Sequence, residues 1–157
     1  MRFGLFLCLL GVAGLAPAQT MPASFTRNMN FPPLGVGMTE TVQINVANTA
    51  SNGANAAASC TGTITFTVAN AKTQPAPTKF TLTSGEIVSA SLAGNTLATT
   101  GQAVVLGSIQ VTQTAGTPCV ISASMETYDT TSGATHVYLS NPASSVPGPI
   151  VLTPGHQ

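Results

Sequence analysis

The sequence predicts an all-β protein, and three observations support this fold class. Several short segments alternate polar and apolar side chains, which is the period of two expected of a strand with one buried face. Threonine, whose branched Cβ favours strands over helix interiors, is the commonest residue after position 18. Beyond that position, apolar residues recur at helical spacing over no stretch long enough to form a useful helix.

The clearest strand signal lies at 60–68, where threonine occupies every second position from Thr61 onward. The intervening positions place Ile64, Phe66 and Val68 on the same face as Cys60, and we expect this face to be buried. Other predicted strands cover residues 41–47, 79–83, 87–92, 104–112, 120–128 and 135–139. An edge strand is expected around residues 25–31.

Two features of these strands allow more specific predictions. Segment 104–112 is apolar on both parities at its start, which predicts a central strand that is covered on both sides there. Segments 120–128 and 135–139 flank the polar link 129–133, which ends in glycine, and this arrangement predicts a β-hairpin.

Residues 1–18 have the anatomy of a secretory signal peptide. A positive charge precedes an apolar run of about thirteen residues at 3–15, and the Ala-Pro-Ala triplet at 16–18 fits the small-x-small cleavage pattern. We therefore expect cleavage between Ala18 and Gln19. This run is shorter than the roughly 20 residues that a helix needs to cross a bilayer. The longest uninterrupted aliphatic run after position 18 covers only residues 103–106, so no membrane span is expected after cleavage. An uncleaved anchor is the alternative.

The remaining chain is long enough for one domain with a sizeable core. Residues 19–140 are predicted to form the β-domain, and residues 19–33, which include three prolines, are expected to be a partly extended lead-in. Residues 141–157 contain four prolines with serine and glycine between them. This composition predicts a flexible, extended tail.

Two cysteines are expected to form a disulfide in the exported protein. Cleavage would remove Cys8 and leave Cys60 and Cys119 in an oxidising compartment. The alternating set that starts at Cys119 continues through Ile121 and Ala123, so both sulfurs are predicted to point into one core. A reactive thiol or a metal ligand is the alternative.

About seven short strands and one internal bridge predict a single β-sandwich of immunoglobulin-like type, with the disulfide joining two strands. A small Greek-key barrel is the alternative architecture. The chain contains no tryptophan, the residue that typically fills the core of an immunoglobulin domain. Phe66 is predicted to take that place.

The scarcity of charge argues against several classes of partner. Charged residues make up 5% of the chain, compared with about 25% in a typical globular protein, and the formal net charge is zero. Four cations cannot neutralise many phosphates, so no nucleic acid is expected as a partner. They also form no polybasic patch that would attract anionic lipids.

No motif in the sequence predicts catalysis, a metal site or a cofactor. The four acids are scattered and are expected to be solvated residues at strand ends: Glu40, Glu86, Glu126 and Asp129. His136 is predicted to lie on the solvent face beside Tyr138, and His156 lies in the tail, so a copper or zinc site is not expected. An enzyme would need Glu126, Asp129 and His136 to converge in a pocket.

The outward faces of the predicted strands carry Thr, Ser, Gln and Asn, with few charges to protect the sheet edges. Such strands can pair with another copy of the chain or with another envelope protein by strand addition. A neutral exterior with no binding role is the alternative. The sequence does not identify a ligand.

In its leader, its Ser/Thr/Ala/Gly-rich strands, its scarcity of charge and its single predicted disulfide, the chain resembles small exported bacterial proteins that have an immunoglobulin-like sandwich and no assigned activity. It resembles fimbrial subunits of the chaperone-assembled type more distantly. The resemblance covers residues 31–139 and is compositional. It implies a secreted, periplasmic or cell-surface protein that is a non-enzymatic structural or binding module of the envelope. A subunit of a surface fibre or adhesin, assembled by strand pairing, is the alternative.

Overall fold

The computed structural model describes residues 24–50, 59–97, 101–114, 119–140 and 143–145. The predicted signal peptide and its cleavage point between Ala18 and Gln19 lie outside these residues, as does most of the predicted tail. None of the helical structure within the described ranges is long and apolar enough to cross a membrane.

Ten strand segments and one 3-10 turn, η1 (Gly94–Thr96), make up the regular structure of the described residues. The strands are β1 (Ser24–Asn30), β2 (Leu34–Gly37), β3 (Glu40–Asn48), β4 (Cys60–Val68), β5 (Thr78–Leu82), β6 (Ile87–Ala93), β7 (Gln102–Thr114), β8 (Ile121–Asp129), β9 (Thr135–Ser140) and β10 (Ala143–Ser145). The all-β prediction is confirmed, since the described ranges contain no α-helix. The prediction of about seven strands is wrong.

The strands form two antiparallel sheets. Sheet A has six strands, in the order β10-β1-β7-β4-β5 with β2 also paired to β7, and sheet B has four, in the order β6-β3-β8-β9. Strands β1 and β2 pair with successive parts of β7, so they can be counted as one interrupted strand, which makes nine. Pro32 and Pro33 lie at the interruption, where they lack the N–H groups that a continuous ladder would need.

The two sheets enclose one hydrophobic core, to which both contribute. The inward face predicted for β4 is confirmed, because Ile64, Phe66 and Val68 are all buried. Gly107 of β7 shows how closely the sheets approach: a methyl group at this position would lie 2.7 Å from atoms of Ile44 and Met125 in sheet B.

The predicted disulfide joins the two sheets. Cys60 begins β4 in sheet A, and Cys119 lies two residues before β8 in sheet B. Their Cα atoms are 5.7 Å apart and both residues are buried, with 59 positions separating them in the chain. In the chain-entropy model, closing a loop of this length lowers the free energy of folding by about 4 kcal/mol.

Strand β7 differs from its prediction. It is central in sheet A, as expected, but only one of its faces is covered. Ala103 and Val105 are buried, whereas Val104 and Leu106 are 47% and 37% exposed. In a two-layer structure each sheet buries only its inner face, so an apolar run on both parities leaves half of its side chains in solvent.

The structure also differs from the prediction at the ends of the domain. The edge strand predicted around residues 25–31 corresponds to β1, which is not at an edge because it lies between β10 and β7. Strand β10 falls inside the segment 141–157 that is predicted to be a flexible tail, and its residues Ala143–Ser145 pair with Asn28–Asn30 of β1. The predicted hairpin is confirmed, since β8 and β9 are antiparallel neighbours.

Candidate functional site

A cluster of ionisable side chains lies where the first residues of β3 meet the tip of the β8–β9 hairpin. Glu40 is paired with Asp129 in the ladder between β3 and β8. The β8–β9 ladder pairs Thr127 with Val137 and Tyr128 with Thr135, so a register shift leaves His136 without a partner on β8. This irregularity redirects the imidazole, and its Nδ1 lies 2.5 Å from Oε1 of Glu40.

Both carboxylates of this cluster are already held by nearby donors. The amide of Gly37 donates to Oε2 of Glu40 at 2.6 Å, which closes the turn between β2 and β3. The amides of Thr131 and Ser132 donate to Oδ1 of Asp129 at 2.9 and 2.7 Å, and the Ser132 hydroxyl bonds the same oxygen at 3.0 Å. The two acids therefore stabilise two adjacent turns.

These hydrogen bonds also lower the pKa of each carboxyl. The Gly37 amide is the largest cause of the lowered pKa of Glu40, followed by the hydrogen bond to His136, while desolvation and the charge of Asp129 oppose the shift. The pKa of Asp129 is lowered mainly by the backbone amide and the hydroxyl of Ser132. Both groups are therefore favoured in the ionised, acceptor-only form.

Of the three side chains that an enzyme would need to converge, His136 and Asp129 lie at the same end of sheet B, whereas Glu126 does not join them. Glu126 is not part of the cluster: its Oε1 accepts a hydrogen bond from Nδ2 of Asn45 at 3.0 Å. Glu86 accepts one from the amide of Thr83 at 2.7 Å. All four acids are thus engaged in hydrogen bonds. No group of three or more His, Cys, Asp or Glu side chains in the described ranges could hold a metal ion.

The outer face of sheet A is polar and uncharged in the middle of its three central strands, beyond the exposed Val104 and Leu106 of β7. We call its middle the hydroxyl–amide face: Asn28, Asn30, Thr63, Thr65, Ser108 and Gln110. These side chains line a shallow depression of about 340 Å³. Nε2 of Gln110 donates to Oδ1 of Asn28 at 3.3 Å and links two neighbouring strands.

The outer face of sheet B carries a different surface, which we call the sheet B groove. Its floor consists of small side chains from β3 and β8: Asn45, Ala47, Ser122 and Ser124. Ile87 of β6 and Tyr138 of β9 stand at its two sides, and the groove encloses about 210 Å³. The two large apolar side chains of its walls are 69% and 61% exposed.

Asn45 is the hydrogen-bonding centre of this second surface. Its Oδ1 accepts from Nε2 of Gln43 at 2.7 Å and from the hydroxyl of Ser89 at 2.6 Å. Its Nδ2 donates to Glu126. These bonds join β6, β3 and β8 and fix the polar side of the groove floor.

Strand β9, which forms one edge of sheet B, is the most exposed strand among those whose side chains are described. Five of its six side chains are exposed, and Leu139 is half-buried. The strand contains no Lys, Arg, Asp or Glu, which are the residues that usually protect an edge. By contrast, β5, which is an edge strand of sheet A, carries Lys79 and follows Pro77.

The sequence located some of these features and missed others. It located the Cys60–Cys119 bridge and the exposure of His136 beside Tyr138, but not the contact between His136 and Glu40. It also missed the sheet B groove, although Ile87 is the first residue of a strand that the sequence predicts from its alternating polar and apolar side chains.

No protein-family model, curated protein or solved structure matches the chain.

Proposed function

We propose that the mature chain is an exported, non-enzymatic β-sandwich of immunoglobulin-like type that acts as a structural or binding module of the cell envelope. The leader at 1–18 supports export, and the bridge between Cys60 and Cys119 suits an oxidising compartment. Two antiparallel sheets joined by a disulfide support the immunoglobulin-like assignment.

The observation that carries the proposal is the chemistry of the two outer faces. The hydroxyl–amide face and the sheet B groove are both lined by uncharged side chains. Each lies on a sheet that the disulfide joins covalently to the other sheet. Amide and hydroxyl groups on rigid strands offer donors and acceptors at fixed spacings. Surfaces of this kind favour contact with a neutral, hydrogen-bonding partner.

The ionisable groups support a non-enzymatic role. A general acid or base must reach the proton that it transfers. Oε2 of Glu40 and Oδ1 of Asp129 are instead bonded to amides that close turns of the same domain, and Oε1 of Glu40 is bonded to His136. Their lowered pKa values also make them poor bases at neutral pH.

Co-sedimentation tests the binding role. The full-length chain is produced in a bacterial host, and the oxidised mature protein is purified and mixed with washed envelope material. We expect saturable retention that excess unlabelled protein displaces. A reduced and denatured sample is the control and should show no saturable retention. Failure of the folded protein to be retained would overturn the proposal.

A second candidate function is a fibre subunit that assembles through the β9 edge. The exposure of β9 and its lack of Lys, Arg, Asp and Glu favour this function, because unpaired backbone groups on an unprotected edge can add a strand. In a fibre, the β9 edge would extend sheet B from one copy into the next.

Light scattering during size-exclusion chromatography tests the fibre candidate. We expect the mass to rise with protein concentration, and a Val137→Lys substitution to restore the monomer because it places a charge on the β9 edge. Thr81→Lys on β5 is the matched control and should not change the mass distribution. A wild-type protein that stays monomeric at every concentration would rule out assembly of this kind.

A further inference from the structure

We infer that the sheet B groove is a binding site for a neutral oligosaccharide. The inference rests on the proposed binding function and names its ligand class and its place on the domain. The groove crosses the outer face of sheet B from Ile87 on β6 to Tyr138 on β9.

The walls of the groove provide the first argument. Ile87 and Tyr138 are the two most exposed large hydrophobic side chains among the described residues. Single exposed apolar side chains are ordinary, but here the two extreme cases border the same concave surface. A tyrosine ring combines a flat apolar face with a polar tip and loses little entropy on binding, so it is suited to ligand contact.

The floor provides the second argument. Ala47, Ser122 and Ser124 are small, so a flat ligand can lie close to the strands between the two walls. The hydroxyls of the two serines and of Ser140 supply donors and acceptors at the surface of the groove. Asn45 is fixed by its bonds to Gln43, Ser89 and Glu126 and therefore presents its amide in one orientation.

Charge provides the third argument. The lining of the groove contains no Lys, Arg, His, Asp or Glu. Glu126, which faces Tyr138 across the β8–β9 ladder, is a carboxylate beside the groove, and its Oε1 already accepts a hydrogen bond from Asn45. An anionic ligand would meet no cation here, so the groove favours an uncharged partner.

These properties match a pyranose ring better than they match an extended peptide. A pyranose has a C–H face that can stack on the ring of Tyr138 and a rim of hydroxyls that can bond to serine and asparagine side chains. The groove volume of about 210 Å³ is below the range of roughly 300–1,000 Å³ for drug-sized ligands, so it suits one or two sugar units of a longer chain. The open sides of the groove allow the remaining units to continue over the sheet surface.

Calorimetric titration with defined hexasaccharides tests the inference. The oxidised mature protein is titrated with β-1,4-linked glucose, α-1,4-linked glucose and β-1,4-linked N-acetylglucosamine hexamers. We expect at least one hexamer to bind. Tyr138→Ala should then weaken binding at least tenfold, whereas Tyr138→Phe should stay within about twofold because the stacking face remains.

Two further variants separate the groove from the rest of the domain. Ser124→Leu keeps Tyr138 but fills the floor beside it, and it should abolish binding. Gln110→Ala alters the hydroxyl–amide face of sheet A and should leave the affinity unchanged. Circular dichroism of each variant confirms that the fold is kept. Hexamer binding that survives both Tyr138→Ala and Ser124→Leu would overturn the site.

Other outcomes separate this inference from the proposed function. If the protein is retained by envelope material but binds none of the hexamers, the binding function stands and the saccharide assignment is overturned. Tyr138-dependent binding of an uncharged extended peptide, with no hexamer bound, would also overturn the ligand class. Hexamer binding without retention by envelope material would support the site and overturn the envelope role.

Discussion

Glu40 and His136 are 96 positions apart in the sequence, yet Oε1 of Glu40 lies 2.5 Å from Nδ1 of His136. The contact ties the start of β3 to β9, two strands that are not neighbours in sheet B. It also joins two turns, because Glu40 holds the amide of Gly37 and the hairpin tip next to His136 is closed by Asp129. These bonds stabilise one end of the sheet.

The lowered pKa of Glu40 predicts a loss of stability in acid. A carboxyl with a lowered folded pKa stabilises the fold above its ordinary value of 4.5, and this contribution is lost as the pH falls through the folded value. Glu40→Gln should therefore reduce the slope of unfolding free energy against pH below about 4.5. Urea denaturation at a series of pH values measures this slope, and an unchanged slope in the variant would contradict the role of Glu40.

The inter-sheet disulfide predicts a large effect of reduction. Removing a bridge that spans 59 positions should lower the free energy of unfolding by about 4 kcal/mol. Urea denaturation of the mature protein is compared with that of a Cys60→Ala/Cys119→Ala double variant. Equal denaturation midpoints would show that the bridge does not constrain the unfolded chain.

Thr127 is a site where a substitution should increase stability. Its side chain is 1% exposed, and among the described residues its hydroxyl has no hydrogen-bond partner. Thr127→Val removes this unpaired group while keeping the shape, so the free energy of unfolding should rise by about 1 kcal/mol. Thr67→Val on the exposed face of β4 is the control and should change it by less than about 0.5 kcal/mol. A destabilised Thr127→Val variant would contradict the assignment of an unsatisfied hydroxyl.

Substitution by alanine should destabilise the fold for different reasons at Gly94 and at Gly85. A methyl group at Gly94 would overlap the carbonyl oxygen of Gly37 and lie 2.9 Å from that of Glu40, and neither backbone group can rotate away. Gly94→Ala should therefore cost about 3 kcal/mol. Gly85 has a φ of +83° but open space around it, so Gly85→Ala should cost only about 1 kcal/mol. Thermal denaturation compares the two variants, and the reverse order would contradict the packing at η1.

The sequence predicted most strands correctly, because the alternation of polar and apolar side chains that marks a strand involves only residues that are close together in the chain. The alternation at 60–68 gave the inward face of β4 and pointed Cys60 into the core, and the five-residue polar link gave the β8–β9 hairpin. The exposure of Val104 could not be predicted in this way, since apolar side chains on both faces of a strand do not show whether both faces are covered by other parts of the protein. Layer packing depends on the whole sheet order.

The surfaces were harder to predict than the strands. The contact between Glu40 and His136 depends on the register shift between β8 and β9, which no spacing in the sequence reveals. The sheet B groove depends on the order β6-β3-β8-β9, which places Ile87 and Tyr138 on the two edge strands. Strand order is set by long-range packing, so residues that are far apart in the sequence define the groove.

Intact-mass analysis of the chain recovered from producing bacteria, alkylated before any reduction, tests the central claim of an exported and oxidised module most directly. We predict a mass that begins at Gln19 and carries no alkyl group, with two groups added only after reduction, at Cys60 and Cys119. A chain that begins at Met1 and is alkylated at once on Cys60 and Cys119 would contradict export, the bridge and the envelope role together.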